Sequence, residues 1–185
     1  PVIDDDGRLV GIVSDRDIKE ASPSKATTLD MHELYYLLSE IKVGDIMTKT
    51  VVSISPDATV EKAAVLMLRH TVGGMPVVDK DNIVVGVITD SDIFKVLVSI
   101  TGVLSGGLQF ALELPNVSGS LKTVLDDFKA HDVRILSILT NYDDDKPDTR
   151  TVYIRVRPMA DEKAKDVVDR LKANHNLLYW AKDEI

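Results

Sequence analysis

The sequence has no cysteine, a single tryptophan, and aromatic side chains at only 5% of its 185 positions. Without cysteine there is no disulfide, no thiolate nucleophile and no cysteine-ligated zinc or iron–sulfur centre, a composition suited to a reducing compartment. Also missing is any uninterrupted apolar run of about 18 residues, so no membrane-spanning helix is expected. The first residues lack the charged, apolar, small-residue succession of a secretory signal. Basic residues are in the minority: 22 Lys and Arg face 30 Asp and Glu, a formal charge of −8. A surface that tracks nucleic-acid phosphates needs a basic stripe, which argues against that partner. The expectation is a cytoplasmic protein with no membrane or nucleic-acid partner, whose nucleotide, if it takes one, is small and held in a cleft. What is present is 44% hydrophobic residues, enough at this length for two small cores.

The strongest internal signal is a repeat. "PVIDDDGRLVGIVSDRDI", Pro1 to Ile18, aligns without a gap on "PVVDKDNIVVGVITDSDI", Pro76 to Ile93, with 9 of 18 positions identical. A match of that kind is a duplication. Each copy reads strand, polar turn, strand, helix. The turns "DDDG" and "DKDN" carry residues that tolerate turn dihedrals, and the runs "LVGIV" and "IVVGVI" suit strands buried on both faces. Before the second copy, "TVVSIS" reads as a short strand. A helix follows with Thr59 as N-cap and Val60, Ala63, Ala64, Met67 and Leu68 on one face. This second unit stops near Gly102. The first copy lacks the opening strand and helix, and by analogy with the second about 35 upstream residues are expected to precede Pro1. Between the copies, "SPSKATT" reads as a loop and "LDMHELYYLLSEI" as a linker helix. There Asp30 and Glu33 stand at capping-box spacing, and Met31, Leu34, Tyr35, Leu38 and Ile41 share an apolar side.

This doubled "PVVD…VVGVITDSDI" signature resembles a tandem pair of CBS domains, a Bateman module, over residues 1 to about 102. The resemblance implies units packed through their sheets, with clefts for adenosine-type effectors (AMP, ATP or S-adenosylmethionine), no obligatory cofactor and no catalysis. In each copy a hydroxyl precedes Asp by three residues: Ser14 with Asp17, Thr89 with Asp92. An ionised Asp is acceptor-only and suits ribose hydroxyls, while the helix start that follows suits phosphate. The same spacing is a capping box, a purely structural device. Spacing alone favours the cap, recurrence in this frame favours the ligand, and one residue pair can serve both. Carried over residue by residue, the second cleft would comprise Thr48 and Val52 at the entering strand, Gly73, Gly74, Met75 and Pro76 against the base, and Thr89 with Asp92 at ribose and phosphate. The first, less complete cleft would use Ser14, Arg16 and Asp17. Ser91 replaces Arg16 in the second copy, so the two clefts are not equivalent.

After Gly102 the register changes, and "SGG" at 105–107 reads as a joint. "LQFALEL" alternates Leu108, Phe110, Leu112 and Leu114 on one face. "GSLKTVLDDFKAH" sets Leu121, Val124, Leu125 and Phe128 at helical spacing. Strands follow at "RILSILTNY" and "RTVYIRVR", with Val152, Ile154 and Val156 alternating. Then comes a helix bearing Ala164, Val167, Val168 and Leu171, and a last strand near "LLYWA". The order βαββαβ predicts a ferredoxin-like sheet with two helices on one face. Residues 108–185 resemble an ACT domain, with Ser118 where that family usually has Pro before the turn glycine. The resemblance implies an amino acid held near Asn116, Gly119 and Ser120 at a dimeric sheet edge.

The expected fold class is therefore α+β: a CBS pair, N-terminally incomplete in its first unit, plus a ferredoxin-like ACT domain. Its parts are a first half-unit over 1–22, a linker helix region over 23–42, a second unit over 43–102, a joint over 103–107 and the last domain over 108–185. A CBS pair followed by an ACT domain resembles the bacterial acetoin utilisation family. The implied role is a homodimeric, ligand-sensing regulator of acetoin catabolism acting on an unidentified protein. Two rivals stand beside it. One is a dimerisation scaffold with vestigial clefts. The other is a metal-dependent enzyme using Asp4 to Asp6 or Asp143 to Asp145, though both acid runs also suit hairpin tips. His32, His70, His131 and His175 are scattered, without metal-ligand spacing, and no metal site is expected.

Overall fold

The computed structural model describes residues 1–21 and 30–183. The expected loop at 22–28, and the Met31 and Leu34 side chains assigned to the linker helix's apolar side, lie outside the described residues. Two compact units divide the chain, Pro1–Phe94 and Lys95–Ile185.

In the first unit, strands β1 (Val2–Ile3) and β2 (Leu9–Gly11) form one antiparallel hairpin, followed by helix α1 (Asp15–Ala21). Helix α2 (Met31–Glu40) begins at the anticipated box: Asp30 Oδ1 accepts the N–H groups of His32 and Glu33, and Glu33 accepts that of Asp30. A one-turn helix α3 (Val43–Ile46) was not anticipated. Helix α4 (Val60–His70) starts on the Thr59 cap, and β3 (Gly74–Val78) pairs antiparallel with β4 (Val84–Thr89) before helix α5 (Asp90–Thr101).

The duplication extends to individual atoms. Asp4 Oδ1 accepts the N–H groups of Asp6 and Arg8, and Asp79 Oδ1 accepts those of Asp81 and Ile83, so the same aspartate folds both hairpin turns. Gly7 and Asn82, equivalent in the repeat, both take a left-handed conformation there, with φ of 81° and 65°. The turns also meet each other: Leu9 N–H donates to the Asn82 carbonyl, and the Asn82 side-chain amide donates back to the Leu9 carbonyl, at 3.0 and 3.1 Å.

Three expectations for this unit are corrected. Residues 50–55 form no regular strand; only Ile54 pairs, in a parallel bridge to Val77, because Ser55 already accepts the Ala58 N–H in a turn and Pro56 has no N–H to extend a ladder. The runs "LVGIV" and "IVVGVI" are not buried on both faces. Val85 and Val87 are 55% and 50% exposed, on the face of the β3–β4 hairpin turned away from helix α4, where only Pro76 opposite Val87 is buried among the β3 residues. On α4 the apolar face centres on Ala63 and Met67, which join Ile54 and Met75 in the core, and Leu66 flanks it. Leu68, about 100° round the helix from Met67, is 81% exposed.

In the second unit a short 3-10 turn (Val103–Ser105) leads into β5 (Gly107–Pro115), α6 (Ser120–Ala130), β6 (Ile135–Tyr142), β7 (Thr149–Val156), α7 (Asp161–Asn174) and β8 (Asn176–Asp183). The sheet order is β6-β7-β5-β8, with every pair antiparallel. This is the ferredoxin-like βαββαβ topology. Every residue read as inward-facing on β5 and β7 is buried. So are Val124 and Phe128 of α6 and Ala164, Val167, Val168 and Leu171 of α7, which places both helices on one face. Phe110 and Phe128 lie with ring centroids 5.5 Å apart at the centre.

Candidate functional site

Strand β4 ends at Thr89 and α5 begins at once, which fixes the hydroxyl and carboxylate of the repeat against each other. Asp92 Oδ2 accepts both the Thr89 N–H, at 3.0 Å, and the Thr89 hydroxyl, at 2.7 Å; the Asp92 N–H donates to Thr89 Oγ1 at 3.3 Å. The first copy repeats all three bonds. Asp17 Oδ2 accepts from the Ser14 N–H and hydroxyl at 2.6 and 2.7 Å, and Asp17 N–H donates to Ser14 Oγ at 3.4 Å. The Ser14 hydroxyl, then its N–H, hold the Asp17 carboxyl below the usual carboxylate range. The capping box is therefore formed twice, in the same atoms. It leaves an acidic group fixed at each helix start, with Thr89 and Asp92 half-buried and Ser14 exposed.

Gly73 and Gly74 lie at the same end of the β3–β4 hairpin. The Asp90 N–H donates to the Gly73 carbonyl at 2.9 Å, and Gly74 stands opposite Thr89 in the ladder. A Cβ on Gly74 would come within 3.3 Å of the Ile88 carbonyl oxygen, so the backbones run tightly together there. Met75 and Pro76, the next residues of the proposed cleft, are both buried, Met75 in the core at 0% exposure and Pro76 on the opposite face of β3. Neither offers a ligand a side chain, and the Pro76 carbonyl already accepts the Ile54 N–H. Val52 packs on the same core cluster. Thr48 goes elsewhere: it exchanges both backbone hydrogen bonds with Ile12 of the first copy, at 2.9 and 3.0 Å, two residues before Ser14. The structure thus gathers Gly73, Gly74, Thr89 and Asp92 at one hairpin end and hands Thr48 to the strand that runs into Ser14. Arg16 is exposed on α1.

Sequence reasoning missed Met47, which packs against Gly11. A Cβ on Gly11 would collide with the Met47 sulfur and lie 3.2 Å from its Cβ.

In the second unit the Asn116 amide donates to the Pro147 carbonyl and its backbone N–H to Asp148, so Asn116 pins the 143–148 loop. Gly119 opens α6 with φ of 88°. Ser120 Oγ accepts from Arg150 Nη2 at 3.1 Å, while Arg150 Nε is buried without a partner among the described residues. Arg150 was not anticipated at this position. The acid runs form turns: Asp4 caps the first hairpin and Asp143 Oδ1 accepts the Asp145 N–H. Among the described residues no group of three or more His, Asp or Glu could hold a metal ion, and no helix is long and apolar enough to cross a membrane.

The CBS-domain family model matches residues 1–24 and 43–99. A CBS domain-containing protein of Dictyostelium discoideum is 37% identical over 100 residues, 54% of this chain and 69% of that protein. Solved structures of similar sequence include CBSX2 in complex with AMP, 33% identical over 54% of this chain and 70% of that one, with a TM-score of 0.43. A putative acetoin utilization protein (AcuB) from Vibrio cholerae is 34% identical over 53% of this chain and 64% of that one, with a TM-score of 0.42. A longer enzyme, inosine-5′-monophosphate dehydrogenase of Helicobacter pylori, is 38% identical over 97 residues, 51% of this chain and only 17% of that protein.

Proposed function

Since this chain belongs to the CBS-domain family, we propose that it is a non-catalytic sensor whose second repeat takes an adenosine-type nucleotide: AMP, ATP or S-adenosylmethionine. The observation that carries this reading is the convergence of Gly73, Gly74, Thr89 and Asp92 at one hairpin end, where an acceptor-only carboxylate sits at a helix start. Asp92 would accept from the ribose hydroxyls, the tight Gly73–Gly74 backbone would admit a flat base, and the first turn of α5 would face phosphate. The first copy, with Ser14, Arg16 and Asp17, is the second such site, and Thr48 adjoins it. In the second unit the ACT reading places an amino-acid carboxylate at Gly119, Ser120 and Arg150, with Asn116 supporting the neighbouring loop. Occupancy would shift the population of arrangements a regulated protein recognises, which requires different ligand affinity in each. A homodimer is the proposed working form, and acetoin catabolism the proposed setting.

Asp92→Asn tests the nucleotide role. Asn keeps an oxygen for the Thr89 N–H and hydroxyl but offers a weaker, uncharged acceptor to a diol. AMP is expected to bind the variant about tenfold or more weakly by calorimetry, with the unliganded melting temperature changed little. Unchanged AMP affinity would remove the ribose role. It would favour the second reading, an interaction scaffold, which the exposure of Val85, Val87 and Phe94 (55%, 50% and 63%) independently supports.

A further inference from the structure

A trough of about 380 Å³ runs across the second unit between α7 and the edge strand β8. Its floor is apolar and belongs to the core: Leu108, Val168 and Ala164 are 1%, 4% and 8% exposed. One wall is Trp180, whose indole stands 43% exposed on the helix side of the sheet, opposite Phe110 in the ladder. The rim is charged. Lys165 and Lys172, two turns apart on α7, line it and form no ion pair among the described residues. Lys182 on β8 reaches across to Asp161 at 2.9 Å and closes one end.

An apolar floor beneath two uncommitted ammonium groups is chemically specific. A neutral ligand would use the floor and leave the cations idle, and a small inorganic anion would do the reverse. We propose that this trough binds an organic anion with an apolar body, a medium-chain or aromatic carboxylate, laid against Trp180 with its charged end toward Lys165 and Lys172. The volume falls within the range of small-molecule sites, about 300–1,000 Å³. Two carboxylates oppose an anion: Asp161, which Lys182 offsets, and Asp169, four residues after Lys165 and three before Lys172, hence on the same helix face. The site is remote in sequence from the α6 start and from both repeats, and it stands whether or not either of those binds a ligand.

Trp180 is the only tryptophan of the chain, so its emission reports this trough without labelling. Octanoate is expected to change that emission saturably on the full chain, while 1-octanol responds at least about fivefold more weakly. Lys172→Glu, at an exposed position, should weaken octanoate about fivefold or more at low salt, and Asp169→Asn should tighten it about twofold. Circular dichroism melts of the variants, unchanged from the parent, secure the comparison. Octanoate that leaves Trp180 emission unchanged, or that binds parent, Lys172→Glu and Asp169→Asn alike, would overturn the proposal.

Discussion

Gly11 and Gly86 are equivalent in the repeat, yet each is glycine for a different reason. At Gly86 an added Cβ would meet only the Val77 Cβ at 4.0 Å, an ordinary contact, whereas at Gly11 it would strike Met47. Gly11→Ala should therefore destabilise the first unit by about 1–3 kcal/mol in urea unfolding, as over-packing does. Gly86→Ala should be near neutral, and the Gly11 penalty should shrink in a Met47→Ala background. Equal costs at the two glycines would refute the slot. Thr89 and Asp92 show the same economy at the scale of one residue pair. Removing the carboxylate altogether would also remove a helix cap, typically about 1 kcal/mol, which is why the amide variant separates ligand recognition from stability where alanine does not. The spacing of Thr89 and Asp92 was legible in the sequence; the Gly11–Met47 contact was not, because nothing local links a strand glycine to a methionine 36 positions later.

Among elements, α6 and α7 are clasped through one carboxylate. Asp127 on α6 accepts from Asn174 at 3.0 Å and Arg170 at 3.1 Å on α7, and its Oδ2 lies 2.8 Å from His175 Nε2 just beyond it. The Asn174 amide, then the His175 and Arg170 bonds, bring its pKa down to about 2 against the opposing effect of burial. Because the folded value lies below the ordinary 3.8, the stabilisation is complete above about pH 4 and is lost as pH falls toward 2. A shift of that size corresponds to about 2 kcal/mol. Asp127→Asn should lower the melting temperature at pH 6, and the gap from the parent should narrow at pH 2.5. A constant gap would show that the charge contributes nothing. Strand patterns were legible where one face is buried: β5 alternates because helices cover only one side of its sheet. They misled at "IVVGVI", where an unbroken apolar run implies two covered faces, and at Leu68, an apolar residue that stands exposed.

For the molecule as a whole, the two units differ in how much core they own. Thirteen buried apolar residues make one cluster in the second unit, against four in the first, among the described residues. Amides of β5 and β7 should accordingly exchange far more slowly than those of β3 and β4, since local opening follows buried apolar contact. Added AMP should raise protection in β3 and β4 selectively if the second repeat binds it. Equal exchange in the two units without ligand would contradict the core assignment. By itself, the sequence determined the duplication, the turns at "DDDG" and "DKDN", the helix starts at Asp30 and Thr59, and the βαββαβ order, because each is a short-range pattern set by backbone geometry and hydrophobic period. Only tertiary structure decided that Thr48 joins the first copy's strand, that Met75 and Pro76 are both buried, and that Arg150 meets the start of α6. It alone laid a lone tryptophan beside an apolar floor and two lysines. Those placements depend on which elements meet across long sequence separations, and nothing in the local pattern encodes that.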